Sequence, residues 1–237
     1  MPPARRGNTI YKRNDARLTE IPYETLSDTL LSLNVARSWI SEIDCARLPK
    51  STTWINATEC PFLARVLNLD QLPNLEALYV SESRRLRSLS PLPNSLKELH
   101  VTSCTNLTSL PPLVRTSLEF LIVCETKFRT LPDLPDTLRE LRAQWSKLET
   151  LPFLPDSLTC IVTTDIKPTE SIPARPASLG LREYAAWLRE RQRRDLRKEK
   201  FDALHESLIA ATWHPSRFEA WCLDEDEKRE NASMMGV

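Results

Sequence analysis

The sequence predicts a solenoid of short leucine-rich repeats followed by an α-helical C-terminal segment. Three observations carry this reading. Leucines recur in a fixed pattern every 20–23 residues, a column of small polar residues runs in phase with them, and prolines mark the return of each unit.

The repeat is clearest in the middle of the chain. Leu96-x-x-Leu99-x-Val101 leads to Leu107 and Leu110, and Leu118-x-x-Leu121-x-Val123 leads to Phe128 and Leu131. Leu138-x-x-Leu141-x-Ala143 follows, with Leu148 and Leu151. Looser copies lie upstream at Leu30/Leu33/Val35, Ile55/Ala57 and Leu75/Leu78/Val80, and one lies downstream at Leu158/Ile161/Thr163. The total is about seven units. The spacing has a physical reading. Alternate side chains of a strand share a face, so the last two apolar positions of each unit point inward together. One unit cannot bury them alone, whereas stacked units form a parallel sheet over a shared core. Each fully buried Leu or Val contributes about 1.5–3 kcal/mol.

Three residues after the last strand position stand Ser38, Cys60, Ser83, Cys104, Thr126 and Ser146. All are small and carry a hydroxyl or thiol, as suits a side chain that bonds the backbone of a turn. The return side is written in proline, with Leu92-Pro93, Leu131-Pro132-Asp133-Leu134-Pro135, Leu151-Pro152-Phe153-Leu154-Pro155 and Ile172-Pro173. Proline fixes its own φ and keeps its predecessor out of the helical region, so these stretches are expected to be extended and polyproline-II-like. Prolines are also the expected reason that only three glycines occur.

Three segments follow: an N-terminal arm at 1–17, the solenoid at 18–177, and a helical cap or tail at 178–237. Ser178 is the candidate N-cap of the tail helix. No proline interrupts Leu179 to Thr212, and Leu181, Tyr184, Leu188, Leu204, Leu208 and Ile209 fall at helical spacings. Trp213-His214-Pro215 breaks the pattern, and a second short helix is expected around Phe218, Trp221, Cys222 and Leu223. The last repeat is irregular and would leave the core open, so the helix bearing Leu181, Tyr184 and Leu188 is expected to close it. Trp213, Phe218 and Trp221 are expected to pack over that helix.

Composition excludes several classes. Lys+Arg and Asp+Glu are equal at 32, so no net field steers the chain to nucleic acid or an anionic membrane. The glycines, Gly7, Gly180 and Gly236, cannot write a phosphate-binding loop, and no G-x-S-x-G elbow exists. Histidines 100, 205 and 214 and six cysteines lack metal-site spacing, so no metal, cofactor or catalytic residue is assigned. The N-terminus lacks an apolar signal stretch, and no run reaches the roughly twenty apolar residues of a membrane span. The expectation is a soluble intracellular protein with reduced thiols. Arg189 to Lys200 is basic but broken by Glu190, Asp195 and Glu199, as on a solvated helix face.

Function is therefore expected on the concave face, through a protein partner. The outward strand positions form a central column of Asn34, Asn56, Tyr79, His100, Ile122, Arg142 and Val162. A flanking column holds Trp54, Glu98, Phe120 and Glu140. The candidate partner-binding residues are Trp54, Tyr79, Glu98, His100, Phe120, Ile122, Glu140 and Arg142. Aromatics with arginine inside a polar surround suit a protein-binding hot spot.

The unit Leu-Pro-x-Leu-Pro-Asp-Ser/Thr-Leu-x-x-Leu, over roughly residues 18–177, resembles the short repeats of bacterial type III effectors. Repeats of similar texture occur in proteins of large DNA viruses of algae and amoebae, and residues 213–227 resemble a C-terminal motif of such viral proteins. The resemblance implies a repeat scaffold acting in a host cell, in the host cytoplasm. Some bacterial relatives carry a ubiquitin-ligase domain with a Cys-x-Asp nucleophile, and Cys222-Leu223-Asp224 matches those letters. That domain is far larger than the segment after the repeats, and the acidic neighbours of Cys222 disfavour a thiolate. A ligase or ligase adaptor, and nucleic-acid binding through the basic helix, stand as the alternatives.

Overall fold

A computed structural model of the chain describes residues 10–12 and 18–212. In chain order the strands are β1 (Ile10–Lys12), β2 (Ser32–Asn34), β3 (Glu42–Asp44), β4 (Trp54–Asn56), β5 (Arg65–Leu67) and β6 (Ala77–Tyr79). They continue as β7 (Ser88–Leu89), β8 (Glu98–His100), β9 (Phe120–Ile122), β10 (Glu140–Arg142) and β11 (Cys160–Val162), and the long helix α1 (Leu181–Thr212) follows. Eight of these strands form one parallel sheet, ordered β1-β2-β4-β6-β8-β9-β10-β11. Each repeat thus contributes one rung, and the rungs stack in sequence order.

The seven strands of the repeats fall where the leucine pattern puts them. The central residue of each, Leu33, Ile55, Leu78, Leu99, Leu121, Leu141 and Ile161, is fully buried. Strand β1, which the pattern did not announce, adds an eighth rung by pairing Tyr11 with Leu33 in register. A continuous core runs through all units, from Leu18 to Leu188, with no break between repeats.

In the first half of the chain, ahead of the proline-written returns that start at Leu92-Pro93, the return side carries regular structure. There β3, β5 and β7 pair into a second parallel sheet, and 3-10 turns form at Tyr23–Thr25, Cys45–Arg47 and Leu69–Gln71. The reason is donor supply. Arg65–Leu67 and Glu42–Asp44 keep every backbone N–H, so a ladder can close. Later units place Pro111, Pro112, Pro132 and Pro152 at the return, where each missing N–H removes one bond from such a ladder. Those stretches carry neither helix nor strand.

The scarcity of glycine also has a different cause from the one expected. Each unit turns through a non-glycine residue in the left-handed region: Arg37, Glu59, Glu82, Ser103, Glu125, Trp145 and Asp165, with φ between 52° and 62°. A left-handed L-residue costs roughly 1–2 kcal/mol. The cost is offset because each such N–H, from Arg37 to Trp145, donates to a carbonyl of the next unit at 2.7–3.3 Å.

By its internal contacts the chain divides into residues 1–189 and 190–237. In the first unit Tyr184, Ala185 and Leu188 on the opening turns of α1 are buried in the solenoid core. The Tyr184 hydroxyl donates to the Pro173 carbonyl at 2.5 Å, and Arg189 donates to the Pro155 carbonyl at 3.1 Å. Of the three helix residues expected to close the core, Tyr184 and Leu188 are buried in it, while Leu181 stays partly exposed. Ser178 is not the N-cap. It sits in a turn closed by Leu179 N–H to Pro176 at 3.0 Å, and the Gly180 carbonyl accepts the first helical bond, from Tyr184. In the second unit, the residues from Arg193 to Ser207 are exposed on α1, including Phe201 and Leu204. The segment around Trp213, Phe218, Trp221 and Cys222 lies outside the described residues.

Candidate protein-binding face

Sheet register decides which outward side chains meet. Asn34 pairs with Asn56, Asn56 with Tyr79, Tyr79 with His100, His100 with Ile122, Ile122 with Arg142, and Arg142 with Val162. The central column expected from the repeat spacing is thus one unbroken row. The flanking row aligns in the same way, with Trp54 opposite Ala77, Glu98 opposite Phe120 and Phe120 opposite Glu140. The parallel ladder holds these side chains at strand spacing, about 4.8 Å apart.

Two groups emerge within the rows. The first is aromatic. The Trp54 and Tyr79 rings lie 5.7 Å apart, and Tyr79 meets His100 edge-on at 4.3 Å. The Tyr79 hydroxyl donates to a Glu98 carboxylate oxygen. Burial, reinforced by that bond to Glu98, pushes the Tyr79 hydroxyl up to about 12, so it stays a donor at neutral pH. Burial lowers the pKa of His100 and Arg142 adds to this, while Glu98 opposes it. The imidazole is therefore neutral at pH 7, which suits it to an edge contact with Tyr79.

The second group is an ion pair beside an apolar step. The Arg142 guanidinium donates to the Glu140 carboxylate, and Phe120 and Ile122 lie next to them on the neighbouring strand. Cys160 lines the same end, and burial first, then Glu140, raises its thiol pKa. All eight candidate residues therefore share one face. Trp54 through Ile122, and Glu140, are partly covered, whereas Arg142 is exposed.

The edge of the solenoid carries a further group that the sequence reading missed. Trp39 and Phe62 meet at 5.8 Å, and the Arg85 guanidinium lies 4.7 Å over the Phe62 ring. Their spacing of 23 residues was the available signal.

The small polar column behaves largely as its chemistry suggested. Cys60 Sγ donates to the Val35 carbonyl at 3.3 Å, Ser83 Oγ to Ala57 at 3.1 Å, Cys104 Sγ to Val80 at 3.1 Å and Thr126 Oγ1 to Val123 at 2.7 Å. Ser146 is the exception, since among the described residues its buried hydroxyl has no hydrogen-bond partner. A second column escaped notice, the Ser/Thr of the Asp-Ser/Thr-Leu signature. Thr137 and Ser157 donate to the Leu118 and Leu138 carbonyls of the preceding unit at 2.8 and 2.7 Å. Among the described residues no cluster of three metal-ligating side chains exists, and no helix is long and apolar enough to cross a membrane.

These features define a leucine-rich-repeat solenoid. It is similar in structure to YopM, a leucine-rich effector protein from Yersinia pestis, at 28% identity and a TM-score of 0.55, over 68% of this chain and 44% of that one. A second solved structure, YopM from Yersinia enterocolitica WA-314, matches at 22% identity and a TM-score of 0.35, over 72% of this chain and 50% of that one. The chain thus spans half or less of the length of either protein. No family model and no curated protein matches the chain.

Proposed function

We propose that this chain is a binding scaffold rather than an enzyme, and that a protein partner docks on its concave face. The observation that carries the reading is the in-register pair of rows, with Trp54, Tyr79 and His100 in ring contact and Glu98, Phe120, Ile122, Glu140 and Arg142 continuing the same surface. Clustered aromatics beside arginine, framed by polar groups, are the composition of interface hot spots. In this reading residues 18–177 are the binding module, 1–17 an arm and 178–237 a cap. The likeness to an effector from Yersinia pestis supports an effector-type role in a host cell. The viral reading has its support in the resemblance carried by residues 213–227. No cofactor, nucleic acid or membrane enters the proposal.

The test is crosslinking with mass spectrometry in host-cell extract, using the full chain. A protein captured by the wild type should be lost with Tyr79→Ala combined with Arg142→Ala, and kept with Arg129→Ala on the return side. The thermal melt of the double variant should match the wild type. Capture that survives the double variant moves the interface off this face. A ubiquitin conjugate that forms with purified components and disappears in Cys222→Ala would replace the scaffold reading with a ligase.

One observation favours a second reading. Arg194, Arg197, Lys198 and Lys200 are exposed on α1 within a basic stretch. Nucleic-acid binding through these four cations predicts an affinity that falls about 10²-fold between roughly 50 and 200 mM salt. The five carboxylates from Glu190 to Glu206 argue for the scaffold instead.

A further inference from the structure

The solenoid hands two backbone donors from each unit to the next. One is the N–H just after the strand. Val35, Ala57, Val80, Val101, Val123 and Ala143 donate to Asn56, Tyr79, His100, Ile122, Arg142 and Val162 at 2.8–3.0 Å. The other is the N–H of the left-handed turn residue, which for Trp145 reaches the Thr164 carbonyl at 3.3 Å. At the C-terminal end the equivalent donors are Thr163 and Asp165. The sheet ends at β11, and among the described residues no backbone carbonyl receives either N–H.

The opening turns of α1 do not finish the ladder. Tyr184 and Leu188 are buried in the core, yet among the described residues no backbone hydrogen bond joins α1 to β11. Between them lies a cavity of about 300 Å³, lined by Ile161, Thr163, Asp165, Ile172, Leu181 and Tyr184 among others. Its lining mixes aliphatic side chains, Ile161, Ile166 and Ile172, with polar ones, and it includes both donor residues, Thr163 and Asp165. The volume is at the small end for a ligand site and suits a short segment rather than a whole repeat.

We propose that this end of the solenoid binds an extended peptide of a protein partner by strand addition, parallel to β11. The ladder itself defines the ligand chemistry. Two N–H groups two residues apart call for two carbonyls two residues apart on one extended chain, as Val162 and Thr164 supply them to Ala143 and Trp145. The inward residues of the peptide then alternate as in the native rungs, where Leu99 and Val101, or Leu121 and Val123, are fully buried. The recognised pattern is aliphatic-x-aliphatic-x. This site is separate from the concave rows and stands or falls independently of them.

The test uses the full chain and a fluorescein-labelled peptide with the sequence of residues 96–103, Leu-Lys-Glu-Leu-His-Val-Thr-Ser. Saturable binding by fluorescence anisotropy is expected. A peptide with aspartate at the positions of Leu99 and Val101 should bind at least tenfold more weakly. Thr163→Pro, which removes one donor, and Ala174→Trp, which fills the cavity from its rim, should each weaken binding at least tenfold. Their melts guard against unfolding, and Ala174→Trp leaves the strand intact. Tyr79→Ala with Arg142→Ala should bind the peptide normally, whatever its effect on the concave face. Absence of binding by the wild type, or equal binding by Ala174→Trp, overturns the proposal. So does concentration-dependent assembly in sedimentation that Ala174→Trp abolishes, because the occupant would then be a second copy.

Discussion

Single residues carry opposite demands in each turn of this protein. Glu82 sits at φ 59° while its N–H holds the Thr102 carbonyl at 2.7 Å. Glycine relieves the strain but raises chain entropy by a similar amount, so Glu82→Gly should leave stability equal or higher by up to about 1 kcal/mol. Glu82→Val should lose about 1–2 kcal/mol, because a β-branched side chain fits the left-handed region poorly. Urea unfolding of the two variants measures both. The buried thiols give a second expectation at this scale. Burial pushes Cys45 and Cys104 up to about 12 and Cys60 up to about 11. These three should resist a thiol reagent at pH 8 in the folded protein and react on unfolding, read by peptide mapping. Their periodicity was legible in the sequence for Cys60 and Cys104, since both stand in the column of small polar residues. Cys45 was not, because its role depends on the 3-10 turn that begins there.

His100 also belongs to this scale. Its folded pKa is depressed, so the unfolded chain binds the proton more readily. Stability is fully present above the unfolded histidine value, about 6.5, and falls as pH drops through that value toward the folded one. The melting temperature should therefore decline on acidification below about pH 6.5. His100→Asn should show a smaller decline over the same window, and an unchanged slope would remove His100 as the source.

At the scale of elements, the first turns of α1 decide whether the last repeat is stable. Tyr184 and Leu188 are buried where a further repeat would otherwise stack. Leu188→Ala should cost about 2–5 kcal/mol, and Tyr184→Ala somewhat more, since it also strands the Pro173 carbonyl. Denaturation of each variant checks this, and deletion of residues 178–237 should destabilise or aggregate the repeats. In contrast, Leu204→Ala on the exposed part of α1 should change stability by less than about 0.5 kcal/mol. The ion pairs linking successive units, such as Arg37–Glu59 and Lys97–Glu76, are largely exposed and contribute little by comparison.

For the whole molecule, the sequence by itself determined the repeat, its phase, the buried leucine of each rung and the outward rows of the eight-stranded sheet. It could do so because a period-two strand inside a period of 20–23 residues leaves only one way to bury Leu99, Leu121 and Leu141 together. Tertiary structure alone decided what the pattern does not encode. Strand β1 has no leucine signature, and its place comes from pairing with β2. The second sheet depends on which return segments keep their N–H groups and lie beside one another, a condition between units rather than within one. The contact of Tyr79 with His100, 21 residues apart, required the register of β6 on β8 before two ordinary surface residues became neighbours at 4.3 Å. Among the described residues the Thr163 and Asp165 N–H groups likewise lack a backbone acceptor because the sheet ends at β11, and a ladder's end has no local sequence mark.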